Sequence, residues 1–224
     1  MMILHIETAT DVCSVVLAND GKVIAYRESA ADRSHASILA VFIDEVMKEA
    51  AVSFKDLLAV AVSKGPGSYT GLRIGVSTAK GICYAMNIPL IAVNTLQAMS
   101  SSFLLQFPET PSSTLLLPMI DARRMEVYGA VLDSSLNFLE DVKAEVLTEN
   151  SFMNHQAEII MFGDGAHKAV EIFANKKNVS YNSNYKQSAL GLIAPAQRAF
   201  TAKQFENTAY FEPFYLKEFV TGAR

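Results

Sequence analysis

The sequence predicts an α/β protein of two lobes, residues 1–106 and 107–224, each a mixed sheet flanked by helices. Three observations predict it. The first third places three β-prone runs ahead of any helix and then alternates helix with strand. Residues 106–113, with two prolines and small polar side chains, interrupt the chain near its middle. Beyond them a second series of β-prone runs begins. With 224 residues, 50% hydrophobic and 19% charged, the chain can bury a large core, and whole-chain disorder is excluded.

Residues 3–8 are apolar and β-branched, and residues 12–18 follow. Asn19-Asp20-Gly21 then turns the chain into residues 22–28, and Asp-Gly between β-prone runs is a hairpin signal. Ser34 can cap a helix from His35 to about Ala51, whose apolar stripe is wider than one core-facing seam requires. Residues 57–63 are a short apolar run suited to a strand buried on both faces. A glycine-rich segment opens a helix ending near Met86; a strand at 89–93 and a helix at 95–105 follow. The order β-β-β-α-β-α-β-α differs from a dinucleotide-binding fold, where a crossover helix follows the first strand. It matches one lobe of the actin-like, ribonuclease H-like architecture.

The second half reads as strands at 114–120, 125–132, 138–147 and 157–162, with a turn at 121–124. Gly163-Asp164-Gly165 turns into a helix expected at 166–175. A last helix, 189–203, carries Pro195 and is expected to kink or split there. The aromatic tail 211–216 is expected to pack down. No internal repeat is visible.

Charge and cysteine usage narrow the function. Nineteen Lys and Arg oppose 23 Asp and Glu, a net charge of −4, which argues against holding nucleic acid by the chain's own electrostatics. Cys13 and Cys83 stand far apart outside any C-x-x-C spacing, so a disulfide framework is excluded and a reducing compartment is the natural reading. The opening residues lack a basic leader, and no run approaches the ~20 apolar residues of a membrane span. A cytoplasmic protein is expected, with no role at membranes.

Gly65, Gly67 and Gly71 lie between a strand and a helix, where backbone amides can cradle phosphate. Their spacing fits neither G-x-G-x-x-G nor the P-loop, since Leu72 and Arg73 follow Gly71. Gly71, Gly75 and Ala79 recur every four residues, which suits close approach of another element, internal or from a partner. Each helix-interior glycine costs about 1 kcal/mol against alanine, so Gly75 and Gly81 need a compensating contact. No histidine follows His35 at ligand spacing, and the four histidines offer no metal site. Glu7 and Ala9 stand where an actin-like ATPase carries an Asp and a Gly in its first phosphate loop, and a Cβ there restricts the backbone. Arg123 and Arg124 can clamp a carboxylate or phosphate, although a solvated turn with surface ion pairs is the commoner use.

Several segments resemble a known family. Residues 3–10, ILHIETAT, resemble its "ILxIDTST", and Gly65–Gly75, GPGSYTGLRIG, is similar to its hallmark "GPGSFTGLRIG", with Tyr69 replacing Phe. Ile120–Tyr128, IDARRMEVY, resembles "IDARRxEVY", and Pro213–Lys217 resembles "PxYLR". On these residues the chain is identified as a member of the TsaB family of tRNA threonylcarbamoyladenosine (t6A) biosynthesis proteins. The resemblance implies a subunit without catalytic, cofactor or metal residues of its own. It implies pairing with the paralogue TsaD, which would hold ATP and metal, together with the ATPase TsaE. It also implies a homodimer when alone and contact with tRNA only through the complex. The implied interface lies on the first lobe's two helices: His35, Ile38, Leu39, Phe42, Ser68, Tyr69, Thr70, Gly71, Arg73, Ile74, Gly75 and Thr78. Arg123 and Arg124 are the candidate anion or tRNA contacts. The alternative is a free-standing glycoprotease-like metallopeptidase or actin-like ATPase, which would need metal ligands and an intact phosphate loop.

Overall fold

The computed structural model describes residues 1–30 and 35–217; Ser34, the expected helix cap, lies outside them. The chain begins with β1 (Met2–Glu7), β2 (Cys13–Asn19) and β3 (Lys22–Ser29). It continues through α1 (His35–Glu49), β4 (Ala59–Ser63), α2 (Tyr69–Met86), β5 (Leu90–Val93) and α3 (Thr95–Gln106). β1, β2 and β3 pair antiparallel, while β4 and β5 add to the other edge of β1 in parallel, giving the order β3-β2-β1-β4-β5. This is the meander-then-crossover order expected of an actin-like lobe.

The second half holds β6 (Leu115–Asp121), β7 (Glu126–Leu132), β8 (Phe138–Val146), β9 (Ile159–Phe162) and β10 (Val179–Asn182), in the order β10-β9-β6-β7-β8. β6, β7 and β8 are antiparallel; β9 and β10 extend β6 in parallel. The second sheet thus repeats the topology of the first, with β6 in the place of β1. The repeat is invisible in the sequence because different connections serve the same crossovers. α1 and α2 make them in the first sheet. In the second, irregular chain and a short 3₁₀ turn (Ala166–Ala169) do so.

Two expected helices change. The helix at 166–175 is replaced by that 3₁₀ turn, closed by Val170 N–H on His167 O three residues back. Ala166, Ala169 and Phe173 are drawn beneath the sheet, and His167 and Glu171 stay outside. The helix at 189–203 divides into a 3₁₀ turn (Ala189–Leu192) and α4 (Ile193–Thr201). Pro195 is the third residue of α4, where an amide has no intrahelical partner to lose, so the break falls ahead of the proline.

Packing produces layers. α1 and α2 cover one face of the first sheet through Leu39, Ile43, Val46, Val76 and Ala79 against Leu4, Val15, Leu17 and Val62. The other face, with Ile3, Val16, Ala61 and Ile91, is covered by Ala98 of α3 and by Ala189, Leu192 and Ala196. α3 turns Leu96, Met99 and Phe103 toward Leu116, Ile120 and Phe162 of the second sheet. Residues 189–196 therefore return to the first sheet although they follow the second in sequence. α3 serves both sheets, which is why it is buried nearly all round. Among the described residues, no helix is long and apolar enough to cross a membrane.

Candidate functional site

The glycine segment leads from β4 into α2 and is filled from within the chain. The Ser68 N–H donates to Ala9 O at 2.7 Å, and a side chain at Gly67 would collide with Ala9. Gly67 has φ +159°, the edge of the range that favours glycine. At the start of α2 the Ser68 hydroxyl caps by accepting from Gly71 N–H at 3.3 Å. Thr8 then lies across the helix. Its hydroxyl donates to Gly71 O at 2.8 Å, and a Cβ at Gly71 or Gly75 would overlap Thr8 atoms. The expected four-residue glycine spacing is thus present, but the element in close approach is the β1–β2 loop of the same chain. This corrects the placing of Gly71 and Gly75 in a partner interface: both are buried against Thr8.

Glu7, at the end of β1, is fully buried. Its carboxylate accepts from Ala9 N–H at 2.6 Å, from the Ser63 hydroxyl and from the Gln187 amide at 2.8 Å. Gln187 in turn accepts from the Tyr185 hydroxyl, whose ring packs edge-on against Phe162 of the second sheet. Burial raises the Glu7 carboxyl, against the lowering effect of these hydrogen bonds. Burial likewise holds the Tyr185 phenol far above its usual range, so it stays a neutral donor. Ser188 donates to Glu28 at 2.8 Å, and the Ala189 N–H donates to the Ser14 hydroxyl at 3.0 Å. At the first-phosphate-loop position, then, a polar network ties residues 185–189 to the first sheet.

The outer surface of the helix pair divides the remaining candidates. Ile38 and Leu39 are buried in the core, which corrects their expected place on the surface, and Phe42 and Ile74 are half-buried beside them. His35 is half-buried, its Nε2 donating to Thr10 O at 2.7 Å. Thr78 is half-buried and returns its hydroxyl to Ile74 O at 2.8 Å. Ser68, Thr70 and Arg73 are exposed. Arg73 lies over the half-buried Tyr69 ring at 4.1 Å and donates to the Tyr215 hydroxyl at 3.2 Å. Outward from α2 stand Ser77, Gly81, which the sequence marked as needing a compensating contact, and Tyr84, which the sequence reading missed. They continue from Thr70 at steps of seven, four and three, a helical period visible in the sequence. Tyr84 is 85% exposed, and nothing approaches within 4 Å of a Cβ built on Gly81. Val41 of α1 is half-exposed.

Arg123 and Arg124 form the β6–β7 hairpin tip, exposed, with φ of +70° and +49°. Asp121 supports the tip by accepting from Arg123 N–H at 2.6 Å and pairing with Lys168 at 2.5 Å. Burial opposes ionisation of Asp121, but these two donors hold it below the usual carboxylate range. Asp164 accepts from Asp121 N–H at 3.4 Å, and the Gly165 that precedes the 3₁₀ turn makes no side-chain cap. Cys13 and Cys83 are buried free thiols, each pushed up to about 11 by burial. Among the described residues, no three His, Cys, Asp or Glu side chains converge to hold a metal ion.

Comparisons place this geometry in a family. The model of the family TsaD, tRNA N6-adenosine threonylcarbamoyltransferase, matches residues 27–219. The tRNA threonylcarbamoyladenosine biosynthesis protein TsaB of Buchnera aphidicola (subsp. Acyrthosiphon pisum) is 30% identical over 86% of this chain and 86% of its own. The protein of that name from Haemophilus influenzae is 26% identical over 99% of this chain and 95% of its own. The match to the Escherichia coli TsaB, at 38% identity, covers 58% of this chain and only 54% of that protein. The structure of YeaZ from Pseudomonas aeruginosa superposes with a TM-score of 0.81 at 24% identity, covering 96% of this chain and 99% of that one, and so shares the fold. The chain therefore belongs to the TsaD family and, within it, to the TsaB group of tRNA threonylcarbamoyladenosine biosynthesis proteins.

Proposed function

We propose that this chain is a non-catalytic subunit of the t6A synthesis machinery, pairing with a TsaD-type paralogue through the outer face of α1 and α2. The observation that carries the pairing is Gly81. Gly71 and Gly75 are accounted for by Thr8, whereas Gly81 sits in the interior of an 18-residue helix with open space before it. A glycine there costs about 1 kcal/mol against alanine with no return inside the chain. Close approach of a second helix would supply one, and Ser77 and Ala85, four residues to either side, keep that approach low.

In this reading the chain works in the cytoplasm, binds no nucleotide or metal itself and leaves both to the paralogue. It meets a TsaE-type ATPase and tRNA only within the complex and forms a homodimer when alone. The interior filling of the glycine segment by Ala9 and Thr8, and the full use of Glu7 by Ser63, Ala9 and Gln187, support a first loop built for packing.

Size exclusion with light scattering tests the proposal on the chain mixed with the TsaD homologue of the same organism, with and without ATP and Mg²⁺. A one-to-one complex that displaces any homodimer is expected. Gly81→Leu should abolish it while the isolated variant melts as the parent does. No complex under either condition, or full binding by the variant, would overturn the pairing.

A further inference from the structure

We infer that the docking face does not end at the two helices but continues onto the C-terminal strap, with Tyr84 and Tyr210 as its aromatic anchors. This rests on the pairing proposed above.

The strap runs antiparallel along α2. The Glu206 N–H donates to Leu90 O at 2.9 Å, just beyond the C-terminal end of the helix. The Lys80 ammonium then holds Phe211 O at 2.8 Å and Ala209 O at 3.4 Å. Phe214 N–H donates to Lys64 O at 2.6 Å, Tyr215 packs at a tilt against Tyr69 with centroids 4.9 Å apart, and Lys217 pairs with Glu126 of the second sheet. α2 is therefore flanked by α1 on one side and by the strap on the other. The two carbonyls on Lys80 bracket residue 210, which places Tyr210 beside the Lys80–Tyr84 turn.

Tyr84 and Tyr210 are 85% and 84% exposed, above every other large apolar or aromatic side chain among the described residues. Tyrosine at such exposure offers a large, low-entropy contact surface, and interface hot spots are enriched in it. Size points the same way. An 18-residue helix is about 27 Å long, and two packed helices present a face of roughly 500 Å². Adding the strap raises this to roughly 800 Å², the share each partner buries in a stable complex of standard size. The exposed ridge Thr70–Ser77–Gly81–Tyr84 carries no charge, and Arg73 is tied to Tyr69 and Tyr215. Such a surface suits a protein and not a polyanion. The occupant we assign is the helix pair of the TsaD-type paralogue. The family model matching residues 27–219 spans α1, α2 and the strap together, so the paralogue brings counterpart elements.

Affinity for the TsaD homologue, measured by calorimetry on the full chain, tests this with Tyr84→Ala, Tyr210→Ala and the control Tyr26→Ala, which lies on β3. The first two should each weaken binding about ten-fold or more, the control should not, and all three should keep the parent's melting temperature. Amide exchange around 209–211 should slow in the complex. Parental affinity for Tyr210→Ala would overturn the inference and leave the pairing intact. No binding by the parent chain would overturn both. Loss confined to self-association would assign the strap to a second copy and overturn the occupant named here.

Discussion

At the scale of single residues, the three glycines of α2 separate two uses of one residue type. Gly71 and Gly75 admit Thr8, whereas Gly81 faces open space. Gly71→Ala should lower stability by about 1–3 kcal/mol, because its Cβ meets the Thr8 backbone carbonyl, which cannot rotate away. Gly81→Ala should raise it by up to about 1 kcal/mol. Urea unfolding of the two variants checks the contrast; equal effects would contradict it. His5 gives a second prediction. Its Nδ1 lies 3.3 Å from Val16 O, an acceptor, so Nδ1 carries the proton and Nε2 is left without a partner. Burial lowers this imidazole from 6.5 to about 4. Above pH 6.5 both folded and unfolded forms are neutral. As the pH falls toward 4 the unfolded chain takes the proton first, so stability drops by roughly 3 kcal/mol across that window. The raised Glu7 carboxyl acts with the opposite sign, its contribution being lost as the pH rises through its folded value. His5→Phe therefore isolates the histidine: its stability should fall less than the parent's between pH 6.5 and 4. Parallel curves would assign the loss elsewhere.

Among elements, the connection between β10 and α4 does more than its irregular backbone suggests. It carries Tyr185 into the aromatic cluster of Phe103 and Phe162, and two residues later it brings Gln187 to Glu7. One short segment thereby links the second sheet to the end of β1. Gln187→Ala would leave the buried Glu7 carboxylate short of one donor and the Tyr185 hydroxyl without its acceptor. A loss of about 1–3 kcal/mol is expected, because a polar group left unpaired in the interior forfeits its hydration without replacement. Denaturant midpoints measure it, and a change below a few tenths would mean that water replaces the amide. By comparison, the exposed pairs Arg27–Glu45 and Lys48–Asp44 contribute little to holding α1 in place, since solvent screens them. α1 is held by Leu39, Ile43 and Val46.

For the molecule as a whole, two sheets of one topology share a single central layer. α3 presents Ala98 to the first sheet and Leu96, Met99 and Phe103 to the second, and the turn at 189–192 with α4 completes the layer. Gly191 makes this possible, since a Cβ there would strike Ala98 and Ser102 of α3. The absence of a side chain at Gly191 brings its backbone close to that of α3. The proposed partner is placed on the outer side of α1, α2 and the strap.

Local chemistry alone determined a good part of this. Asp20-Gly21 specified the β2–β3 hairpin, short apolar runs specified β4 and β5, and the glycine segment marked the join to α2, because turns and periodicities depend on neighbours a few residues apart. The same locality made Gly71 and Gly75 ambiguous: a small residue records that something comes close but not what does. Only tertiary structure showed that Thr8 fills that space, that Ile38 and Leu39 face inward, and that residues 189–196 rejoin the first sheet. It also uncovered the duplicated strand order, because topology resides in pairings between residues far apart, and hydrogen bonds between backbones leave no mark on side-chain composition.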